Sequence, residues 1–108
     1  MQKMLPGSVV LIVSTMVFAT DDAEKQFLRD NEAAMSKMMA AMAVTPSGDV
    51  DKDFVATMVP HHQGAIEMAQ AQLRYGHNEQ LRRIAQEIIV TQTQEIAVMR
   101  LAIGAPAK

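Results

Sequence analysis

Two adjacent histidines follow a proline in the segment "MVPHHQGAIEMA", residues 58–69. Imidazole nitrogens bind metal ions or move protons, whereas histidine and proline are both unusual inside an apolar helix. A rotation of about 100° per helical residue puts His61 and His62 within the apolar stripe of this segment, which predicts that both face the core. Such a pair is either a hydrogen-bonded core pair or a pair of metal ligands.

Two polar residues later in the chain are expected at the same level as the histidines. A hairpin turn near His77 would place Gln92 opposite His62, and Glu95 lies in the same apolar stripe. We expect Gln92 or Glu95 to accept the second N–H of a ligating histidine and so orient its ring. A buried carboxylate is costly, so Glu95→Leu is expected to leave the metal-free bundle at least as stable.

The chain is rich in thioethers and has no thiols, with ten methionines and no cysteine. Four methionines between residues 35 and 42 follow the spacing i, i+3, i+4, i+7, so they share one helix face. Core filling by flexible side chains explains such a row by itself. Together with imidazole, thioethers suit copper, with Cu(I) favoured over Cu(II), and they suit zinc, calcium or magnesium poorly. The predicted copper ligands are His61, His62, Met58, Met68, Met35, Met38, Met39 and Met42.

Three helices are predicted to position these side chains. Asp21 and Glu24 have the spacing of a capping box at the start of the first helix. Gly76 is expected to end the second helix in the left-handed conformation, and Asn78 to cap the third. The predicted helices span residues 21–43, 51–76 and 79–103. The fold class is therefore all-α, an up-down-up three-helix bundle in which the second and third helices are antiparallel.

Pro60 is expected inside the second helix, where it would bend the axis just before the histidines, because the apolar pattern continues across it. The alternative is a helix that begins near Val59, with residues 51–57 as a separate turn. The aspartates of "DVDKD", residues 49–53, do not form an EF-hand, because Phe54 and Pro60 occupy the positions that require glycine and glutamate.

The first nineteen residues have the pattern of a secretory signal. Lys3 precedes an apolar run from Val9 to Phe18, and cleavage is expected after Ala19. A retained membrane anchor is the alternative, although the run is shorter than the roughly 20 residues that a span needs. The expected domains are a signal peptide at 1–19 and a helical metal-binding domain at 20–104, in the periplasm or secreted. The intact mass of the mature protein distinguishes these alternatives.

Charge and spacing exclude several classes of function. The formal net charge of −2 becomes −3 when Lys3 is removed, and no basic cluster remains for nucleic acid. No glutamate lies three residues before a histidine, as a ferritin-like di-metal oxidase requires, so we do not expect an enzyme. The remaining alternative to a copper protein is a metal-free helical adaptor whose histidine pair is structural.

The segments "DFVATMVPHHQGAIEMAQ" (53–70) and "LRRIAQEIIVTQTQEIAVM" (81–99) resemble the DUF305 family, through the core pattern M-x-x-H-H-x-x-A-I-x-M-A. The resemblance covers about half the chain. It implies a ferritin-like helical protein of the cell envelope that binds copper, as the CopM type does, with Met58, His61, His62 and Met68 at the matching positions. The chain is short for that family, so a homodimer is expected to complete its core. A copper-exporting envelope protein is the other expected partner.

Overall fold

The computed structural model describes the backbone of residues 2–4, 7 and 13–108, and the helix side chains from Asp22 onward. The described residues form three helices and no strand: α1 (Val13–Ala41), α2 (Val50–Tyr75) and α3 (Glu79–Ala102). The all-α, three-helix class predicted from the sequence is therefore confirmed. None of the described helices is long and apolar enough to cross a membrane.

The first helix begins earlier than the sequence predicted. α1 is already helical at Val13, so Asp21 and Glu24 lie inside it and do not form a capping box. The predicted start was wrong because neither glycine nor proline occurs between Gly7 and Asp21 to interrupt a helix. An apolar run without these residues can extend a helix past a capping-box pattern. Within the predicted signal segment 1–19, residues 1, 5, 6 and 8–12 lie outside the described residues.

The second helix agrees closely with its predicted limits. Asp49 caps its N-terminus, where the side chain accepts hydrogen bonds from the backbone N–H groups of Asp51 and Lys52. The helix continues through Pro60, so the interpretation in which a helix begins near Val59 is wrong. Pro60 has no N–H to donate to the carbonyl of Ala56. Ala56 is itself exposed to water.

Gly76 ends α2, but not in the left-handed conformation that the sequence predicted. Its φ is −82° and its ψ is 154°, an extended geometry that carries the chain directly into the next helix cap. The glycine is required by a close approach, because an added Cβ would lie 2.7 Å from the carbonyl oxygen of Gln72. The glycines with positive φ are instead Gly48, at +86° in the loop before α2, and Gly104, at +76° just after α3.

The third helix begins at its predicted cap. The side chain of Asn78 accepts a hydrogen bond from the backbone N–H of Leu81, and its own backbone is extended. Only residues 76–78 join α2 to α3, so the two helices form the predicted antiparallel hairpin. The far end of this hairpin is held by an apolar cluster made of Val55, Val59, Ile96, Ile66, Met99 and Ile103.

The three helices lie side by side with α2 in the centre. α1 and α3 both pack against α2, and within the described residues they do not contact each other. Small buried residues, Ala34 on α1 with Gly64 and Ala71 on α2, permit close packing of the first pair. Two ion pairs join the same helices, Lys37 with Glu67 at 2.7 Å and Arg74 with Asp30 at 2.9 Å. The bundle is therefore a single layer with two open faces.

Candidate metal centre

The imidazole ring of His62 lies between α2 and α3 and is hydrogen-bonded at both nitrogens. Its Nδ1 is 2.9 Å from the backbone carbonyl oxygen of Met58, one turn earlier in α2. Its Nε2 is 2.5 Å from Oε2 of Glu95 on α3. The side chain is 9% exposed, so these two contacts replace hydration. The ring is therefore fixed in both position and orientation.

The partners of His62 determine which cations its ring can accommodate. A backbone carbonyl only accepts, so Nδ1 must carry a hydrogen, and this leaves the lone pair of a neutral ring on Nε2. A carboxylate also accepts, so at 2.5 Å a hydrogen must lie between Nε2 and the Glu95 oxygen. A metal ion bound at Nε2 would need the carboxylate to move outward, because this gap is too short to hold a metal between the two atoms. The Nδ1–H bond would still orient the ring, as in many metal sites.

His61 does not share the environment of His62. Its side chain is exposed, so the prediction that both histidines face the core is wrong for this residue. The two ring centroids are 6.3 Å apart and the planes are inclined by 60°. Successive helical residues diverge by about 100°, and the apolar stripe of α2 is wide enough to face α3 on one side and open space on the other. His61 lies on the open side.

Glu95 makes the predicted contact with a histidine, but it is not buried. Its side chain is 52% exposed while one oxygen accepts from His62. The premise that Glu95→Leu would relieve a buried charge is therefore wrong, since water solvates the other part of the carboxylate. The side chain that contacts His62 is the carboxylate of Glu95 and not the amide of Gln92, which is half-buried. The hairpin register is centred nearer Asn78 than His77. This shift places Glu95, instead of Gln92, opposite His62.

The four methionines between residues 35 and 42 divide into one packing residue and three more accessible ones. Met38 is buried, and its sulfur lies against Gly64 so closely that an added Cβ would be 2.8 Å from it. Met35 and Met39 are exposed, and Met42 is half-buried. Met38 therefore holds α1 against α2, whereas the other three thioethers remain available to a ligand.

A groove runs between α1 and α3 with α2 as its floor, and its volume is about 340 Å³. Six of its lining residues, two from each helix, are Phe27, Asn31, Met68, Gln72, Ile84 and Ile88. Helical periodicity places Met58 and His61 on the same face of α2 as Met68. The lining that the structure describes contains no charged side chain. Met68 therefore lines this apolar depression, and Met58 and His61 lie on the same face of α2.

The donor set limits the metals that this face can hold. Among residues described by the structure, no group of three histidine, cysteine, aspartate or glutamate side chains converges. A site built around His62 thus has one imidazole and one carboxylate, and further ligands must be thioethers or water. Soft sulfur donors with imidazole suit copper better than zinc or magnesium.

Two contributors to the site were not identified from the sequence. The carbonyl of Met58, and not its sulfur, orients His62, and an i, i+4 spacing between the two residues was the available signal. Gly64 provides the space for Met38. A glycine in mid-helix indicates close approach of another element, which could have identified it.

Comparison with known proteins identifies the family of this chain. No curated protein matches the sequence significantly. The family model described as "Domain of unknown function (DUF305)" matches residues 10–103, which includes all three described helices. The match extends over most of the chain, so this protein is a member of the DUF305 family.

Proposed function

We propose that this protein is an exported copper-binding protein, which holds copper at His62 with help from thioethers and serves copper tolerance or trafficking. The observation that carries the proposal is the geometry of the His62 ring. Nδ1 is held by the carbonyl of Met58, so the lone pair of the neutral ring lies on Nε2, facing the carboxylate of Glu95. Copper would bind at this nitrogen once the Glu95 carboxylate moves out of its 2.5 Å contact with the ring.

Copper fits the chemistry of the surrounding donors. Met58 and Met68 are half-buried on α2, and their thioethers stay unprotonated at every physiological pH. Thioethers supply soft sulfur ligands without cysteine, which this chain lacks. This suits an oxidising compartment, where thiols form disulfides. Cu(I) prefers soft sulfur donors, whereas the Glu95 oxygen also allows Cu(II). Copper is cargo in this proposal, and we assign no reaction to the protein.

The exposed donors support exchange of the metal with a partner. His61, Met35 and Met39 lie at the surface, where an incoming copper chaperone or exporter could reach them. A ligand-exchange path from surface thioethers to a buried imidazole would let copper pass without free diffusion. The proposed partner is a copper-exporting protein of the envelope.

A metal-free adaptor is the second candidate, and one observation favours it. Both nitrogens of His62 already have protein partners, so the ring is satisfied as a purely structural element when it is protonated. In that case the groove would serve to bind another helix and the histidine would only join α2 to α3.

Replacing His62 by Ala tests the two candidates against each other, with His77→Ala as the control. His77 is exposed in the turn between α2 and α3, fifteen residues after His62. A copper protein should lose more than about 100-fold in Cu(I) affinity in His62→Ala and keep it in His77→Ala, measured by competition with a chromophoric chelator. Circular dichroism establishes that each variant is helical. Equal affinity of both variants would favour the adaptor.

A further inference from the structure

One face of the helical layer has an apolar surface that none of the described residues covers. On this face the groove between α1 and α3 has a lining without charged side chains, among the residues that the structure describes. Leu81 and Ile84 on its α3 wall are half exposed, as is Phe54 on α2. Exposed apolar side chains that are clustered in this way indicate a binding surface.

The same face carries a ridge whose chemistry matches the groove. Leu28, Met35 and Met39 on α1 follow the spacing i, i+7, i+11, so they form one row beside the groove residues Phe27 and Asn31. All three are exposed. The row is about 16 Å long at 1.5 Å per residue, whereas the α2 floor of the groove, residues 65–72, spans about 10 Å. Ridge and groove are therefore both apolar, and part of the ridge is long enough to fill the groove.

We propose that a second copy of this chain covers this face, with the α1 ridge of each copy lying in the groove of the other. A two-fold axis makes the contact reciprocal, which a face with its own ridge and groove can satisfy. The six exposed apolar side chains present on the order of 600 Å², close to the roughly 800 Å² that each partner contributes to a standard interface. The inserted helix would complete a four-helix arrangement around α2.

The chemistry of the lining favours a second copy over other occupants. An uncharged apolar groove provides nothing to attract a nucleic acid or a strongly charged peptide. The ridge of the same chain is apolar and is always present at the concentration of the protein itself. The contact depends on apolar area and needs no bound copper, although two ridge residues, Met35 and Met39, are also candidate copper ligands.

Sedimentation of the purified, metal-free full chain tests the proposal, with two leucines as a matched pair. Leu28 on the ridge is 55% exposed and Leu101, on the opposite side of α3, is 62% exposed. The parent should pass from monomer to dimer between about 1 µM and about 100 µM. Leu28→Glu should raise the dimer dissociation constant at least about tenfold, and so should Ile84→Glu in the groove wall. Leu101→Glu should leave it unchanged.

A cross-linking measurement gives a second, independent test. The parent has no cysteine, so single cysteines can be introduced without background. Under mild oxidation, a mixture of Leu28→Cys and Ile84→Cys proteins should form more mixed disulfide than a mixture of Leu28→Cys and Leu101→Cys. A parent that stays monomeric at about 100 µM would overturn the proposal. Equal weakening by Leu28→Glu and Leu101→Glu, or equal cross-linking of the two mixtures, would overturn it as well.

Discussion

His62 is buried although its ring has two polar nitrogens, and the structure supplies an acceptor for each of them. A buried polar atom that loses its partner costs about 1–3 kcal/mol, so each acceptor contributes to holding α2 against α3. The two acceptors differ in kind. The Met58 carbonyl belongs to the helix backbone and cannot be removed by mutation, whereas Glu95 is a side chain and can be varied.

Substitutions of Glu95 should separate its structural contribution from its contribution to the metal. Glu95→Gln keeps an oxygen acceptor for His62, so the metal-free protein should keep its stability while copper affinity falls roughly 10- to 100-fold. Glu95→Leu leaves Nε2 without a partner and should lower the free energy of unfolding by about 1 kcal/mol. Its copper affinity should fall at least as far. Thermal unfolding without metal and chelator competition measure the two effects.

Glu87 provides the matched control for these substitutions, because it is an exposed glutamate on the same helix. Glu87→Gln and Glu87→Leu should change neither quantity beyond the few tenths of a kcal/mol usual for surface positions. Copper affinity that is unchanged in Glu95→Leu would show that the carboxylate only stabilises the helix pair.

At the scale of the helices, the contact between α1 and α2 depends on one glycine and one methionine. A Cβ on Gly64 would lie 2.8 Å from the sulfur of Met38 and 3.2 Å from its Cβ, which is fixed to the α1 backbone. Gly64→Ala should therefore lower the free energy of unfolding by about 1 kcal/mol, because overpacking outweighs the gain in helix propensity. Thermal and urea unfolding measure this change.

A double-mutant cycle with Met38→Ala determines whether the clash is the cause. The double variant should be less destabilised than the sum of the two single variants by about 1 kcal/mol or more, because shortening Met38 makes room for the new methyl group. Gln63→Ala, at the exposed neighbouring position, controls for helix propensity. Strict additivity in the cycle would mean that α1 moves as a whole instead of clashing with the methyl group.

Local signals were sufficient to predict most of the helix limits. The Asn78 cap, the helix continuing through Pro60 and the antiparallel hairpin all depend on residues close in sequence, and the structure confirms each of them. The contact of Glu95 with a histidine was also predictable, since hairpin geometry relates the two helices by simple counting. These features need no knowledge of where α1 packs.

The features that sequence could not provide depend on which neighbour covers a surface. Periodicity gave the apolar arc that contains His61 and His62, but only the packing shows that α3 covers one and leaves the other open. The conformation of Gly76 was similarly missed, since either a positive φ or a close contact explains a glycine there. Periodicity also predicted a buried Glu95, because it gives the apolar stripe of α3 and not the part of that stripe that α2 covers.

For the whole molecule, the proposed dimer surface and several candidate metal residues occupy the same face of the layer, while His62 lies between α2 and α3. Met35 and Met39 belong to the ridge, Met68 lines the groove, and His61 is on the adjoining part of the α2 floor. If both proposals hold, the thioethers of one copy lie over the groove of the other. Copper binding and dimerisation must then be coupled, because each changes the surroundings of the other.

We predict that copper strengthens the dimer, because the metal can take ligands from both copies once the ridge lies in the groove. Linkage requires the effect to be reciprocal, so the dimer must also bind copper more tightly than the monomer. One equivalent of Cu(I) should lower the dimer dissociation constant by about tenfold, a coupling free energy of about 1.4 kcal/mol. Sedimentation at matched protein concentrations, with and without Cu(I), measures the change. His62→Ala, which keeps the ridge and most of the groove, should dimerise without responding to copper. Dissociation of the parent dimer by copper would contradict this prediction and would mean that the metal and the second copy compete for the groove.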